Sequence, residues 1–166
     1  ARLSPASEEG EDGLRPVDVR AEPAPKHRLT GSVSWSTDEG AGARGDWARR
    51  NLFGGAERLT FYGQIAQLER AVSVELFAPH WAAYAQDLTV SAGYAQERTD
   101  AFDQDVARLD AELTRRFSRK WSASLGAGLQ TGEITDAQGT RRLTTLTAPV
   151  GAVYDGRDDI LDPREG

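Results

Sequence analysis

The side chains that could do catalysis or hold a metal are few in this chain and poorly spaced for either. Its two histidines, His27 and His80, stand too far apart in sequence for a convincing metal cluster. Asp155, Asp158, Asp159 and Asp162, with Arg157 among them, lack the twelve-residue loop of a calcium site and read better as a salt-bridged turn. Gly54-Gly55 has neither the lysine nor the spacing of a phosphate loop. Serines and aspartates are present, yet nothing marks a nucleophile elbow. With no Cys there is no thiolate or disulfide chemistry. The residues therefore point away from an enzyme, and no cofactor or metal is expected.

Composition narrows the partners. The 20 Lys and Arg are dispersed among 26 Asp and Glu, for a net charge of −6. No basic block is present that would track a phosphate backbone, so nucleic acid is not expected. No apolar run approaches the roughly 18 residues of a membrane helix, and no signal peptide is visible. Strands that cross a membrane are a separate matter, because their signal alternates and is weak per segment. The lack of Met suggests a processed chain or an excised fragment.

The elements that would have to position any site are strands. In residues 28–36, Leu29, Val33 and Trp35 share one parity with Gly31, and Arg28, Thr30, Ser32, Ser34 and Ser36 share the other, a period of two. Thr37 to Gly40 turns the chain. Residues 43–51 run back, Phe53-Gly54-Gly55 turns again, and 57–68 form a longer strand. Glu69-Arg70 reads as a tight turn before a strand over 71–78, stopped by Pro79. His80, Trp81 and Tyr84 follow. Those aromatics either anchor at a lipid headgroup interface or cover the end of a core.

Residues 86–98 alternate cleanly, and 99–104 read as a polar loop. Residues 105–117 suit a helix taken alone, with Val106, Leu109 and Leu113 on one side, but their neighbours favour a strand. Over 120–130, Trp121, Ala123, Leu125, Ala127 and Leu129 oppose Ser122, Ser124, Gly126, Gly128 and Gln130. Residues 131–140 read as loop, and 141–155 as a last strand in which Pro149 implies a bulge or a pairing gap. Residues 1–13 read as loop, 14–22 as the end of a preceding domain, and Pro23 to Lys26 as a stiff linker.

The fold class expected is all-β, an antiparallel meander of about eight long strands. Several are longer than the five or six residues typical of soluble strands and approach the roughly 9–11 that cross a bilayer when tilted. A small soluble ligand-binding barrel gives the same binary pattern with its faces reversed. Strand length favours the membrane barrel.

The stretch Gly31-Ser32-Val33-Ser34-Trp35-Ser36-Thr37-Asp38-Glu39-Gly40, followed by Arg50-Asn51-Leu52-Phe53-Gly54-Gly55-Ala56-Glu57-Arg58-Leu59, resembles the first barrel hairpin of the Omp85 superfamily. Within it the likeness is to the TamA type, the bacterial surface antigen barrel. Trp35 stands where that family often has Tyr. Tyr154-Asp155-Gly156-Arg157-Asp158-Asp159, with Pro163 and Gly166, resembles a second family segment. The resemblance implies a bacterial outer-membrane barrel of sixteen strands. Residues 1–26 would be a tail and the end of a POTRA-like domain, and 27–166 the first half of the barrel.

It further implies a non-enzymatic assembly factor that inserts autotransporters or other β-barrel proteins. Outer-membrane lipid, unfolded outer-membrane substrates and a TamB-like inner-membrane-anchored protein would be its partners. The strand with Arg28, Leu29, Gly31, Val33 and Trp35 would form one side of a lateral gate that templates an incoming strand. The family-motif turns would be carried by Ser36, Asp38, Gly40, Asn51, Gly54 and Glu57, and by Asp155, Arg157, Asp158, Pro163 and Gly166. A passive porin-like or adhesion barrel is the other membrane reading.

Overall fold

A computed structural model describes residues 2–5, 17–20, 25–37 and 40–157. A short antiparallel pair comes first, β1 (Arg2–Pro5) and β2 (Val17–Arg20), with Arg2 opposite Arg20. The expectation of loop over 1–13 is thus corrected at Arg2–Pro5, whose backbone groups find partners in β2.

The rest is one antiparallel meander. It comprises β3 (His27–Ser36), β4 (Gly40–Arg50), β5 (Arg58–Ala66), β6 (Glu69–Ala78), β7 (Gln86–Arg98), β8 (Phe102–Arg116), β9 (Trp121–Asp136), β10 (Gly139–Thr147) and β11 (Val150–Tyr154). Each strand from β3 to β10 pairs with the next, and β11 also pairs with β9. Thr147 faces Gly128 and Val150 faces Leu125, so the register is unchanged across Ala148-Pro149. Pro149 opens a gap without a bulge, and its carbonyl still accepts the Gly126 N–H at 2.8 Å. β10 and β11 are two segments of one strand, and the meander has the eight strands expected.

Boundaries differ where side-chain polarity was mistaken for a turn. Glu69 and Arg70 begin β6, pairing with Glu97 and Gln96, and the turn is Gln67-Leu68. The loop expected over 99–104 shrinks to 99–101. That expected over 131–140 is mostly strand, turning only at Ala137-Gln138 before Gly139 at φ 115°. Threonine hydroxyls bond across this hairpin, Thr131 to Thr144 at 3.2 Å and Thr135 to Thr140 at 2.9 Å, as cross-strand pairs do in a sheet. The stretch 105–117 is strand as far as Arg116: Leu109 opposes Leu129 and Leu113 opposes Leu125.

Pairing sorts the side chains into two faces. Across all eight strands one row reads Leu29, Trp47, Phe61, Val74, Ala92, Leu109, Leu129, Leu146. The neighbouring row on the other face reads Thr30, Asp46, Tyr62, Ser73, Gly93, Arg108, Gln130, Thr145. Glycines report which face is concave. On the polar face a Cβ built on Gly126 would lie 2.8 Å from Pro149 Cγ, and one on Gly42 2.9 Å from Ser34 Oγ. On the apolar face Gly31 and Gly45 would meet nothing nearer than 3.9 and 3.7 Å, and Gly63 nothing within 4 Å. Side chains converge on the polar face and splay on the apolar one. The sheet curls with polar residues inside, the reverse of a ligand-binding barrel.

Candidate functional site

Three features could carry function: the outward apolar face, the inward polar face and the free edge of β3. The apolar face covers no core. Among the described residues only Ala48 and Ala78 are buried hydrophobics, while Leu29, Val33 and Leu146 are 80%, 87% and 79% exposed. On β6, β8 and β9 the apolar band occupies four or five successive outward positions, Val72 to Ala78, Ala107 to Leu113 and Trp121 to Leu129. With flanking residues this is about the length a tilted strand needs to cross a bilayer. No helix among the described residues is long and apolar enough to do so. On this face Arg70, Asp105, Glu133 and Arg142 form one row beyond the apolar band at the end with the short turns, with Arg98 and Asp103 one row further, and Arg49 and Arg115 lie at the other end.

Aromatics collect at the opposite rim. Trp121 and Tyr154 pack at 4.8 Å between centroids. In the loop over 79–85, His80 stacks on Tyr84 at 5.1 Å. Trp81 and Tyr84 are exposed and cover no core of the sheet. His80 Nδ1 accepts the Ala85 N–H at 3.1 Å, Asp87 accepts the His80 N–H at 3.2 Å, and Arg116 pairs with Asp87 at 2.8 Å. His27 stacks on Trp47 at 5.5 Å. No group of three or more metal-ligating side chains occurs among the described residues.

Toward the middle of the inward face, side chains hydrogen-bond to one another. Arg44 donates to Gln64 at 3.1 Å, Gln64 to Glu69 at 2.9 Å, and Arg108 to Gln130 at 2.8 Å. Ser73, Ser91, Gly93, Arg108 and Gln130 line a furrow of about 490 Å³ on it.

Of the residues singled out in sequence, Arg28, Leu29, Gly31, Val33 and Trp35 lie together on β3, which pairs with β4 on one side only among the described residues. Gly31 is not required by crowding, since space around it is open. Ser36 ends β3 and Gly40 opens β4 at φ 72°. Asn51, Gly54 and Glu57 form one closed loop. The Glu57 carboxylate accepts the N–H groups of Phe53 at 3.1 Å and Gly55 at 3.0 Å, while Asn51 Oδ1 accepts the Ala56 N–H at 3.1 Å. Asn51 and Ala56 sit at positive φ, 56° and 66°, beside Gly54 at 101°. Hydrogen bonds from its own N–H and then from Phe53 hold the Glu57 carboxyl below its ordinary value. The Arg157 guanidinium binds Asp155 through Nε at 2.8 Å and draws its pKa down to about 2. The 51–57 and 155–157 turns lie at the same rim as the aromatics, and the Ser36–Gly40 turn at the other. Asp38, Asp158, Pro163 and Gly166 fall outside the described residues.

The sequence reading missed the cluster of Lys26, Arg28, Arg50 and Arg58, which register alone brings together.

An exposed apolar exterior around a polar, concave interior defines a segment of a transmembrane β-barrel. The Omp85 superfamily domain matches residues 51–166, and the chain belongs to that superfamily. Among solved structures, BamA from Haemophilus ducreyi lacking POTRA domains 1–3 is similar in fold at a TM-score of 0.59 and 13% identity. The match covers 99% of this chain and 36% of that one, so the chain spans about a third of the length of that relative. No curated protein matches the chain.

Proposed function

We propose that this chain is the first half of the barrel of an outer-membrane assembly factor, which inserts other β-barrel proteins by a non-enzymatic route. The observation that carries this reading is the pair of rows across eight strands, unbroken apolar outside and polar inside. Superfamily membership supplies the class of activity. The edge of β3 supplies the means, because its backbone N–H and C=O groups can pair with an incoming strand. Arg28, Leu29, Gly31, Val33 and Trp35 form this gate strand, with Gly31 keeping side-chain bulk away from the seam.

Residues 1–26 are the tail and end of a POTRA-like domain, a reading that the β1–β2 pair supports. The rim with the 51–57, 79–85 and 117–120 loops is then periplasmic, and the end of β3 at Ser36 and the turns at 67–68, 99–101 and 137–138 are extracellular. The hairpin and the Asp155–Arg157 turn favour the TamA type, with a TamB-like partner and autotransporters among the substrates.

The test is cysteine crosslinking along β3 in the intact protein, in outer membranes carrying an unfolded barrel client. Crosslinks at alternate β3 positions to a client strand are expected. A β3 that crosslinks only to another strand of its own barrel would support a passive porin-like or adhesion barrel. A product that needs no detergent for extraction would remove the membrane reading.

A further inference from the structure

The inward face gathers three arginines beside the free edge, with Lys26 next to them. The Lys26 carbonyl accepts the Arg50 N–H at 2.8 Å, one step beyond the His27–Arg49 pair, and Arg50 stands directly opposite Arg58. Arg28 lies one row inward, opposite Ala48. By strand alternation Arg28, Arg50 and Arg58 belong to the polar face, Lys26 stands beside them one residue before β3, and all four are exposed. Among the described residues their ion pair is that of Arg58 with Glu75, at 3.9 Å. Asp46, a further row inward on the same face, makes no ion pair with them. The arrangement is unfavourable for folding, because like charges directly opposite each other in a sheet repel. Arg58 also lies over the Phe77 ring at 5.5 Å, which fixes its stem and leaves its charge at the surface.

We infer that this rim binds a carboxylate-rich, extended polypeptide segment. Lys26 stands just before β3 and Arg28 two residues further along, at most about 6.8 Å away, and the next strand lies about 4.8 Å away. Acidic residues at alternate positions of an extended chain repeat at the same 6.8 Å and meet both cations from one side. The cluster faces the lumen and not the apolar exterior, which sets it apart from a lipid headgroup site. That the segment belongs to a client chain rests on the assembly reading above; the surface itself does not.

The experiment uses the intact protein in detergent and two fluorescent peptides, one alternating Glu with Thr and its twin with Gln in place of Glu. The Glu peptide is expected to bind and the Gln peptide to bind weakly. The double variant Arg50→Gln/Arg58→Gln should lose roughly tenfold in affinity for the Glu peptide, and so should Lys26→Gln/Arg28→Gln, while Arg70→Gln on the outer face should not change it. Arg50→Gln should also raise the melting temperature, since it removes a like-charge pair; a purely structural role would lower it. Equal binding of the two peptides, or unchanged affinity in both double variants, overturns the inference. So does a response of phosphatidylglycerol vesicles, and not of the peptide, to these substitutions. Client insertion into liposomes is measured separately, so peptide binding without insertion would sink the assembly reading alone.

Discussion

Glu57 closes the 51–57 loop by supplying an acceptor to N–H groups that have left the β4–β5 ladder. The Phe53 and Gly55 N–H groups point at one carboxylate, at 3.1 and 3.0 Å, and the Asn51 amide takes the third at 3.1 Å. Binding of N–H groups favours the ionised form, so the folded pKa falls below 4.5. The stabilisation is therefore complete above the unfolded carboxyl's pKa and is lost as pH falls through the lower folded value. Glu57→Gln should make the Phe53 and Gly55 amides exchange severalfold faster at neutral pH. Protection of the unmodified loop should decline only below pH 4.5. Equal protection in protein and variant would show that the carboxylate is not the closing group. Asp155 should behave differently, holding Arg157 down to about pH 2, so the second turn stays braced after the first loosens. The residue types of both turns were visible in the sequence. Which atom closes the first was not, because that depends on Asn51, Gly54 and Ala56 all taking positive φ.

Glycines on the two faces of the strands do opposite things. On the concave side a Cβ on Gly126 would meet Pro149 Cγ at 2.8 Å and the Ala111 carbonyl at 3.2 Å, so β9 curls where no Cβ intrudes. On the convex side Gly45 sits between Gly31 and Gly63 in one row with open space around it. Gly126→Ala should cost about 1–3 kcal/mol through overpacking, whereas Gly45→Ala should change stability by less than about 0.5 kcal/mol. Chemical unfolding of the intact protein in lipid checks both, and equal effects would refute the assignment of concave and convex faces. Alternation read from sequence located nearly every strand, because outward Leu, Val and Ala recur at period two. It failed at Glu69-Arg70 and over 131–136, where polar residues lie in strand above the apolar band. There the sheet continues past the lipid and polarity no longer signals a turn. Curvature was not legible, since it depends on which neighbours meet across the strands.

At the scale of the whole molecule, stability and placement both depend on the outward face being covered by lipid. A sheet this exposed has almost no interior: its apolar side chains lie in rows open to the surroundings, and in water such a surface would associate. Sequence pattern left two barrels open, one apolar inside and one apolar outside, because alternation is the same for both. Pairing register and the glycine contacts remove that ambiguity. Adjacent residues on β10 give a direct check. Leu146 ends the apolar row opposite Leu129, and Thr145 ends the polar row opposite Gln130. Leu146→Arg places a guanidinium inside the apolar band, toward its short-turn side, and should cost about 1–3 kcal/mol in a bilayer, between the midplane and interface values. Thr145→Arg points into the polar interior beside Gln130 and should cost under about 1 kcal/mol. Both are read as unfolding free energies of the intact protein reconstituted in vesicles. A Leu146→Arg penalty that persists in vesicles and matches that of Thr145→Arg would mean both faces see water. An excess for Leu146→Arg that shrinks when the lipid is thinned would place its row within the hydrocarbon, because an arginine closer to the headgroups can reach water.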